Sequence, residues 1–188
     1  MNDEVSVLIG RCRQGDNRAV SELVRMFADQ VFGLCFRMLG HRQDAEDVAQ
    51  ESFVRAIRSL HTWDSTRDFR PWLLAIAGNR CRTWLANRKS RPVPSEEVEQ
   101  LADSRPDESG VGHLNEELER ALEQLRPEYR QAFLLFHRGH LSYAEIAEAL
   151  ACPIGTVRTW VHRARQDLAD RLRRRGVIED QQHAMRRI

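Results

Sequence analysis

Apolar residues recur along most of this chain every three or four positions, the spacing of one helix face, and no stretch shows the two-residue alternation of a strand. The first run, Val5, Leu8, Ile9 and Cys12, predicts a short helix that stops near Gly15. Asp16 is placed to cap a longer helix, with a stripe of Val20, Leu23, Val24, Phe27, Val31, Leu34, Cys35 and Met38 and a stop at Gly40. A third helix is expected from about Asp44 to Leu60, burying Ala45, Val48, Ala49, Phe53, Ala56 and Ile57. Pro71 suits the first position of a fourth, which continues through Trp72, Leu73, Ile76, Ala77, Trp84 and Leu85. That spacing assigns Trp72 to the core and leaves Trp84 open between core and base-stacking roles.

The periodicity stops after Lys89. Residues 90–113 contain Pro92, Pro94, Pro106, Gly110 and Gly112 and few large apolar side chains, the composition of a linker. Helical spacing resumes with Leu114, Leu118, Ala121, Leu122 and Leu125, and Pro127 opens another helix that ends at Gly139. Ser142-Tyr143-Ala144-Glu145 reads as a capping box at the head of a short helix, Tyr143–Leu150. A break at Ala151-Cys152-Pro153 precedes a last helix from about Ile154 to Arg175, with Val157, Val161, Ala164, Leu168 and Leu172 on its buried stripe. The expected fold is all-α: a helical domain over 1–89, an acidic flexible linker over 90–113, a second helical domain over 114–176 and a tail over 177–188.

Composition narrows the function. The 188 residues include 29 Lys plus Arg and 28 Asp plus Glu, a net charge of +1, but the charge is unevenly placed. Between Arg67 and Arg91 there are seven basic residues against the single acid Asp68. Between Cys152 and Arg175 there are seven Arg against Asp167 and Asp170, whereas Pro94–Glu108 carries six acids and one Arg. Two basic islands separated by an acidic strip suggest two contacts with a polyanion. No apolar stretch approaches the length of a membrane span, and the opening residues do not read as a signal peptide, so a cytoplasmic location is expected. The four cysteines lie far apart without a CxxC pair or Cys/His cluster, which argues against a zinc site or disulfide framework. No phosphate-binding loop, dinucleotide fingerprint, H-E-x-x-H or nucleophile elbow is present; neither a cofactor, a metal nor catalysis is expected. His137 and His140 flank Gly139, where capping of a helix end is the simpler reading.

A short capped helix, a tight turn and a longer basic helix make a helix-turn-helix, whose second helix enters the major groove. With Val157, Val161 and Ala164 buried, Arg158, Thr159, His162, Arg163 and Arg165 fall on or beside the exposed face. Arg158 and Arg163 could donate to guanine or phosphate, Thr159 to either, and His162 could hydrogen-bond or stack. A plain helical hairpin with a basic face is the alternative.

The run Leu141–Arg165, with its Pro153-Ile-Gly-Thr-Val-Arg158 segment, resembles region 4 of bacterial extracytoplasmic-function (ECF) sigma factors. Asp44-Ala-Glu-Asp-Val-Ala-Gln-Glu-Ser-Phe53 resembles their region 2.2, and Phe69-Arg-Pro-Trp-Leu-Leu-Ala-Ile-Ala-Gly-Asn79 their regions 2.3 and 2.4. The resemblance implies a sigma factor that directs core RNA polymerase to promoters by −35 binding and −10 melting. In that family the region 2.2 helix docks on the clamp helices of the polymerase β′ subunit. The resemblance thus assigns core binding to Asp47, Gln50, Glu51 and Arg55, with the β subunit as a further contact. It assigns capture of a flipped −10 base and its strand to Arg67, Phe69, Arg70, Asn79, Arg80 and Arg82. It places Arg158, Thr159, His162, Arg163 and Arg165 at the −35 groove. Promoter DNA and an anti-sigma factor are the other implied partners, and the acidic linker resembles the connector that threads the polymerase's RNA channel. Asp68, Gly78 and Thr83 depart from the family's usual residues, and Trp160 and His162 leave the −35 sequence unread. Gly78 has two readings: close approach of backbone to DNA, or no role at all. A stand-alone dimeric helix-turn-helix regulator and a protein-binding helical adaptor are the rival readings. Promoter binding that depends on polymerase separates the three.

Overall fold

In the computed structural model, residues 2–90 and 110–178 are described. They form eight α-helices: α1 (Asn2–Arg13), α2 (Asn17–Leu39), α3 (Arg42–Arg58), α4 (Phe69–Ser90), α5 (Gly110–Glu123), α6 (Pro127–His137), α7 (Tyr143–Ala149) and α8 (Ile154–Arg174). A single 3-10 turn, Leu60–Thr62, follows α3. No strand occurs among the described residues.

The helix boundaries follow local chemistry. Asp16 caps α2 by accepting from the Arg18 and Ala19 amides at 2.9 and 3.2 Å. Gly40 ends α2 at φ 74°, a left-handed conformation that glycine adopts without the Cβ clash of other residues. Ser142 and Glu145 form a reciprocal capping box on α7: the Ser142 amide donates to the carboxylate at 2.7 Å, and the Glu145 amide to the hydroxyl at 3.2 Å. Two boundaries differ from the periodicity. Helix α4 starts at Phe69, because Phe69 is itself part of the core, and α5 starts at Gly110, four residues before the first residue of its apolar stripe. Of the segment read as linker, residues 91–109 lie outside the described residues, as do 179–188 of the tail.

In the N-terminal half α2, α3 and α4 pack against one another, with α1 across one end. Leu23, Val31 and Met38 of α2 meet Ala45 and Val48 of α3 and Leu73, Leu74 and Ala77 of α4, all buried. Each large apolar side chain of this kind contributes about 1.5–3 kcal/mol on burial. Arg13 anchors α1 by donating to the carbonyls of Leu60 and Trp63 at 2.6 and 2.9 Å. In the C-terminal half α5, α6 and α7 all pack on α8. Its stripe of Val157, Val161, Ala164, Leu168 and Leu172 is buried as the spacing predicts.

The two halves also touch. Helices α5 and α6 lie against α2, and α6 and α7 against α4. Arg130 of α6 is 5% exposed and donates to the Met38 carbonyl at the end of α2 at 2.6 Å. Burial lowers its pKa to about 10, partly offset by Glu123 and Glu119 nearby, so it remains a cation. A cation at a helix C-terminus meets the negative end of the helix dipole.

Candidate functional site

The α3 face opposite Val48 and Ala56 displays Asp47, Gln50 and Arg55 to solvent, with Glu51 half-buried beside them. Spacings of three and four residues place these groups on one stripe. Glu51 is its centre of charge, accepting from Arg55 at 3.4 Å on its own helix and from Arg80 of α4. Burial raises the Glu51 pKa, but the hydrogen bonds and charges of Arg80 and Arg55 outweigh it and hold the carboxyl below its usual range. Around this pair Glu51, Val54, Arg55, Arg58 and Ser59 line an open depression of about 430 Å³. Val54, 41% exposed, is an apolar side chain in the middle of a charged surface. The sequence reading omitted Val54 and Arg58; the signal was available, since both continue the Asp47, Glu51 spacing.

The side chains of the first basic island have different partners. Arg67 is exposed in the turn before α4, 3.3 Å from Asp64, and also pairs with Glu148 of α7. Arg70 donates to Gln30 of α2 at 2.6 Å. Asn79 is half-buried on α4, its side-chain oxygen accepting from Arg82 at 3.0 Å. Arg80 is turned to Glu51 and so joins the two expected sites instead of belonging to one. Phe69 faces the core in the chain without DNA: it is 2% exposed, with the Phe27, Trp63 and Trp72 rings 5.4, 5.6 and 5.4 Å away, an enclosure in which the ring contributes packing. Trp72 and Trp84 are both half-buried against the core, and the Arg88 guanidinium lies 5.1 Å from the Trp84 ring centre.

The second island is a helix-turn-helix: α7, a turn through Ala151 at φ 50°, then α8. Arg158, Thr159, His162 and Arg163 are exposed on the first turns of α8, and Arg165 is half-buried. These side chains are differently held. Among the described residues Arg158 makes no hydrogen bond or ion pair; its guanidinium stands 5.9 Å from the Tyr143 ring centre. The Thr159 hydroxyl donates back to the Gly155 carbonyl at 2.8 Å. Arg163 donates to the Tyr129 hydroxyl of α6 at 3.0 Å, and Arg165 donates to His137 Nε2 at 3.2 Å with its guanidinium 5.4 Å from the Phe136 ring centre. His137 is therefore an acceptor for α8, not the helix cap expected of it. Burial lowers its pKa, and Arg165 and Arg138 lower it further, which favours the neutral ring that can accept. Tyr129 and His137 were missed because their partners lie 34 and 28 residues further along the chain.

Comparison with known proteins gives this arrangement a family. The model for sigma-70 region 2 matches residues 23–91, and that for sigma-70 region 4 matches residues 115–168. The ECF RNA polymerase sigma factor SigW of Bacillus subtilis is 33% identical over 177 residues, covering 88% of this chain and 95% of the relative. Among solved structures, CnrH in complex with the cytosolic domain of CnrY matches with a TM-score of 0.67 at 23% identity, over 90% of this chain and 97% of CnrH. The sigma factor RpoE in complex with the anti-sigma factor NepR from Bartonella quintana matches with a TM-score of 0.64 at 19% identity, over 81% and 96%. The last two establish a shared fold. With both regions matched in order around helices that expose two basic faces and one mixed polar stripe, the chain belongs to the ECF group of the sigma-70 family, factors of promoter-specific transcription initiation.

Proposed function

We propose that the two halves divide the work of initiation: residues 1–89 bind core RNA polymerase and read and open the −10 element, and residues 114–176 read the −35 element. The observation that carries this is the set of exposed side chains at the start of α8, Arg158, Thr159, His162 and Arg163, projecting from a helix that a capped α7 and its turn hold in helix-turn-helix geometry. Helices held in this way present their N-terminal residues to base edges in the major groove. Asp47, Gln50, Glu51 and Arg55 form the polymerase face, with Val54 as an apolar anchor at its centre. Asn79, whose amide can both donate and accept, reads an unpaired −10 base, with Arg67, Arg70 and Arg82 on the strand's phosphates.

Because the sigma family acts on promoter DNA together with RNA polymerase, the protein is in this reading a cytoplasmic binding factor and not a catalyst. None of the described helices is long and apolar enough to cross a membrane, and no cluster of His, Cys, Asp or Glu suited to a metal occurs among the described residues. An anti-sigma factor is a further partner, as NepR is in complex with the structural relative RpoE. The test is a gel-shift on promoter DNA with the chain alone, core polymerase alone and both together. Tight binding with both and not with the chain alone supports the reading; equal binding without polymerase supports a stand-alone repressor.

A further inference from the structure

Arg37 near the end of α2 and Arg138 just after α6 have no part in the polymerase, −10 or −35 contacts proposed above, yet they line one cleft together with Arg70 of α4. The cleft, of about 170 Å³, lies between α2, the start of α4 and the end of α6, and Leu34, Leu74 and Leu134 supply its apolar lining. We propose that it is a binding site for a small organic phosphate, a phosphoryl group carried on a short aliphatic body.

Charge is the first reason. Three guanidiniums line this small space against a single carboxylate, Asp29, and like charges gathered in one cleft repel unless an anion joins them. Glu119, outside the lining, lies 3.3 Å from Arg37 Nε and offsets part of the excess. A phosphate monoester brings about 1.5–2 negative charges at neutral pH and three terminal oxygens, where a carboxylate brings one charge and two oxygens.

The three side chains also have donors to give. Arg138 is exposed and its guanidinium makes no hydrogen bond or ion pair among the described residues. Arg37 Nε is buried without a hydrogen-bond partner. Gln30 Oε1 holds Arg70 through its Nε at 2.6 Å, and the Gly33 carbonyl accepts from Arg37 Nη1 at 3.0 Å, so both heads are fixed from α2 with further N–H groups left over. Guanidinium forks match phosphate oxygens in pairs. Size then selects the ligand. Pockets for drug-sized molecules measure about 300–1,000 Å³, so 170 Å³ takes a phosphate and a few carbons and not a nucleotide. The leucines suit those carbons.

The test is calorimetric titration of the full-length chain with propyl phosphate and with inorganic phosphate, at an ionic strength fixed by sodium chloride. Saturable binding at one site per chain is expected, several-fold tighter for propyl phosphate because inorganic phosphate leaves the leucines uncovered. Arg138→Ala removes a charged donor without breaking a contact inside the protein, and should weaken propyl phosphate about tenfold or more. Asp29→Asn removes the acid of the lining and should tighten it about threefold. Propyl phosphate should raise the melting temperature of the wild-type chain and leave that of Arg138→Ala unmoved. Circular dichroism establishes that both variants are folded. No saturable binding, or equal affinity in wild type and Arg138→Ala, would overturn the site, and equal affinity for the two phosphates would overturn the organic ligand. Anisotropy of a fluorescent single-stranded oligonucleotide of random sequence is the second arm, in which Arg138→Ala should bind as wild type does. A loss there equal to the loss for propyl phosphate would assign the cleft to a nucleic-acid backbone and overturn the proposal.

Discussion

Replacing Arg158 or Arg163 with alanine should expose two different kinds of DNA contact on one helix. The residues are five apart, about 140° around an α-helix with 3.6 residues per turn, so they need not do the same job on a duplex. The structure distinguishes them further. Arg163 spends one donor on the Tyr129 hydroxyl at 3.0 Å, which fixes its guanidinium against α6 and leaves its other N–H groups for a phosphate. Arg158 sits in the first turns of α8, without a hydrogen bond or ion pair among the described residues, where base edges are reached. Loss of a bidentate base contact costs about 1–3 kcal/mol, roughly 5- to 150-fold in affinity, and removes preference at one position. Loss of a phosphate contact weakens all sequences alike and reduces the slope of log K against log salt by about 0.9. The assay is a −35 element library bound by polymerase carrying each variant, at two salt concentrations. Arg158→Ala should flatten one column of the binding motif at an unchanged salt slope, and Arg163→Ala should do the reverse. Tyr129→Phe should reproduce a fraction of the Arg163→Ala effect without touching base preference. If neither Arg variant alters motif or slope, α8 does not lie in the groove.

Three other outcomes follow from the same geometry. Gln50→Ala with Glu51→Ala should weaken core polymerase binding at least several-fold in a pull-down titration with helicity unchanged; full affinity would remove the α3 stripe from that role. Asn79→Ala should reduce permanganate reactivity of promoter thymines on duplex DNA, and a pre-melted bubble should restore only part of it because the base contact is still missing. His137 is held neutral, with a folded pKa below its unfolded value, so the unfolded chain takes up the proton first as the pH falls. Its contribution to stability is complete above about pH 6.5 and is lost as the pH drops through the folded value. The C-terminal melting temperature should fall between pH 7 and pH 5, and His137→Gln should flatten that dependence.

What could be read in the sequence was what is local. The stripe of α8 from Val157 to Leu172, the Asp16 cap and the Ser142–Glu145 box depend on residues within one or two turns, and the structure has each where the spacing puts it. The sites were legible as faces but not as partnerships. Arg80, Arg163 and Arg165 all read as cations available to DNA, yet each is held by a group 28 to 34 residues distant: Glu51, Tyr129 and His137. The motif position of Phe69 carries no statement of which way the ring turns. Three other rings enclose it, an arrangement that only the packing of α2, the turn after α3 and α4 determines. Gly78 stood out as a residue poor for a helix interior, but its reason is a glutamine from another domain.

Transcription from genomic DNA fragments of the source organism, using core polymerase with and without this chain and followed by mapping of the RNA 5′ ends, tests the promoter-directing role itself. New start sites should appear only when both are present, preceded at fixed distances by two shared sequence elements, the upstream one altered by Arg158→Ala. Start sites identical to those of core polymerase alone would contradict it.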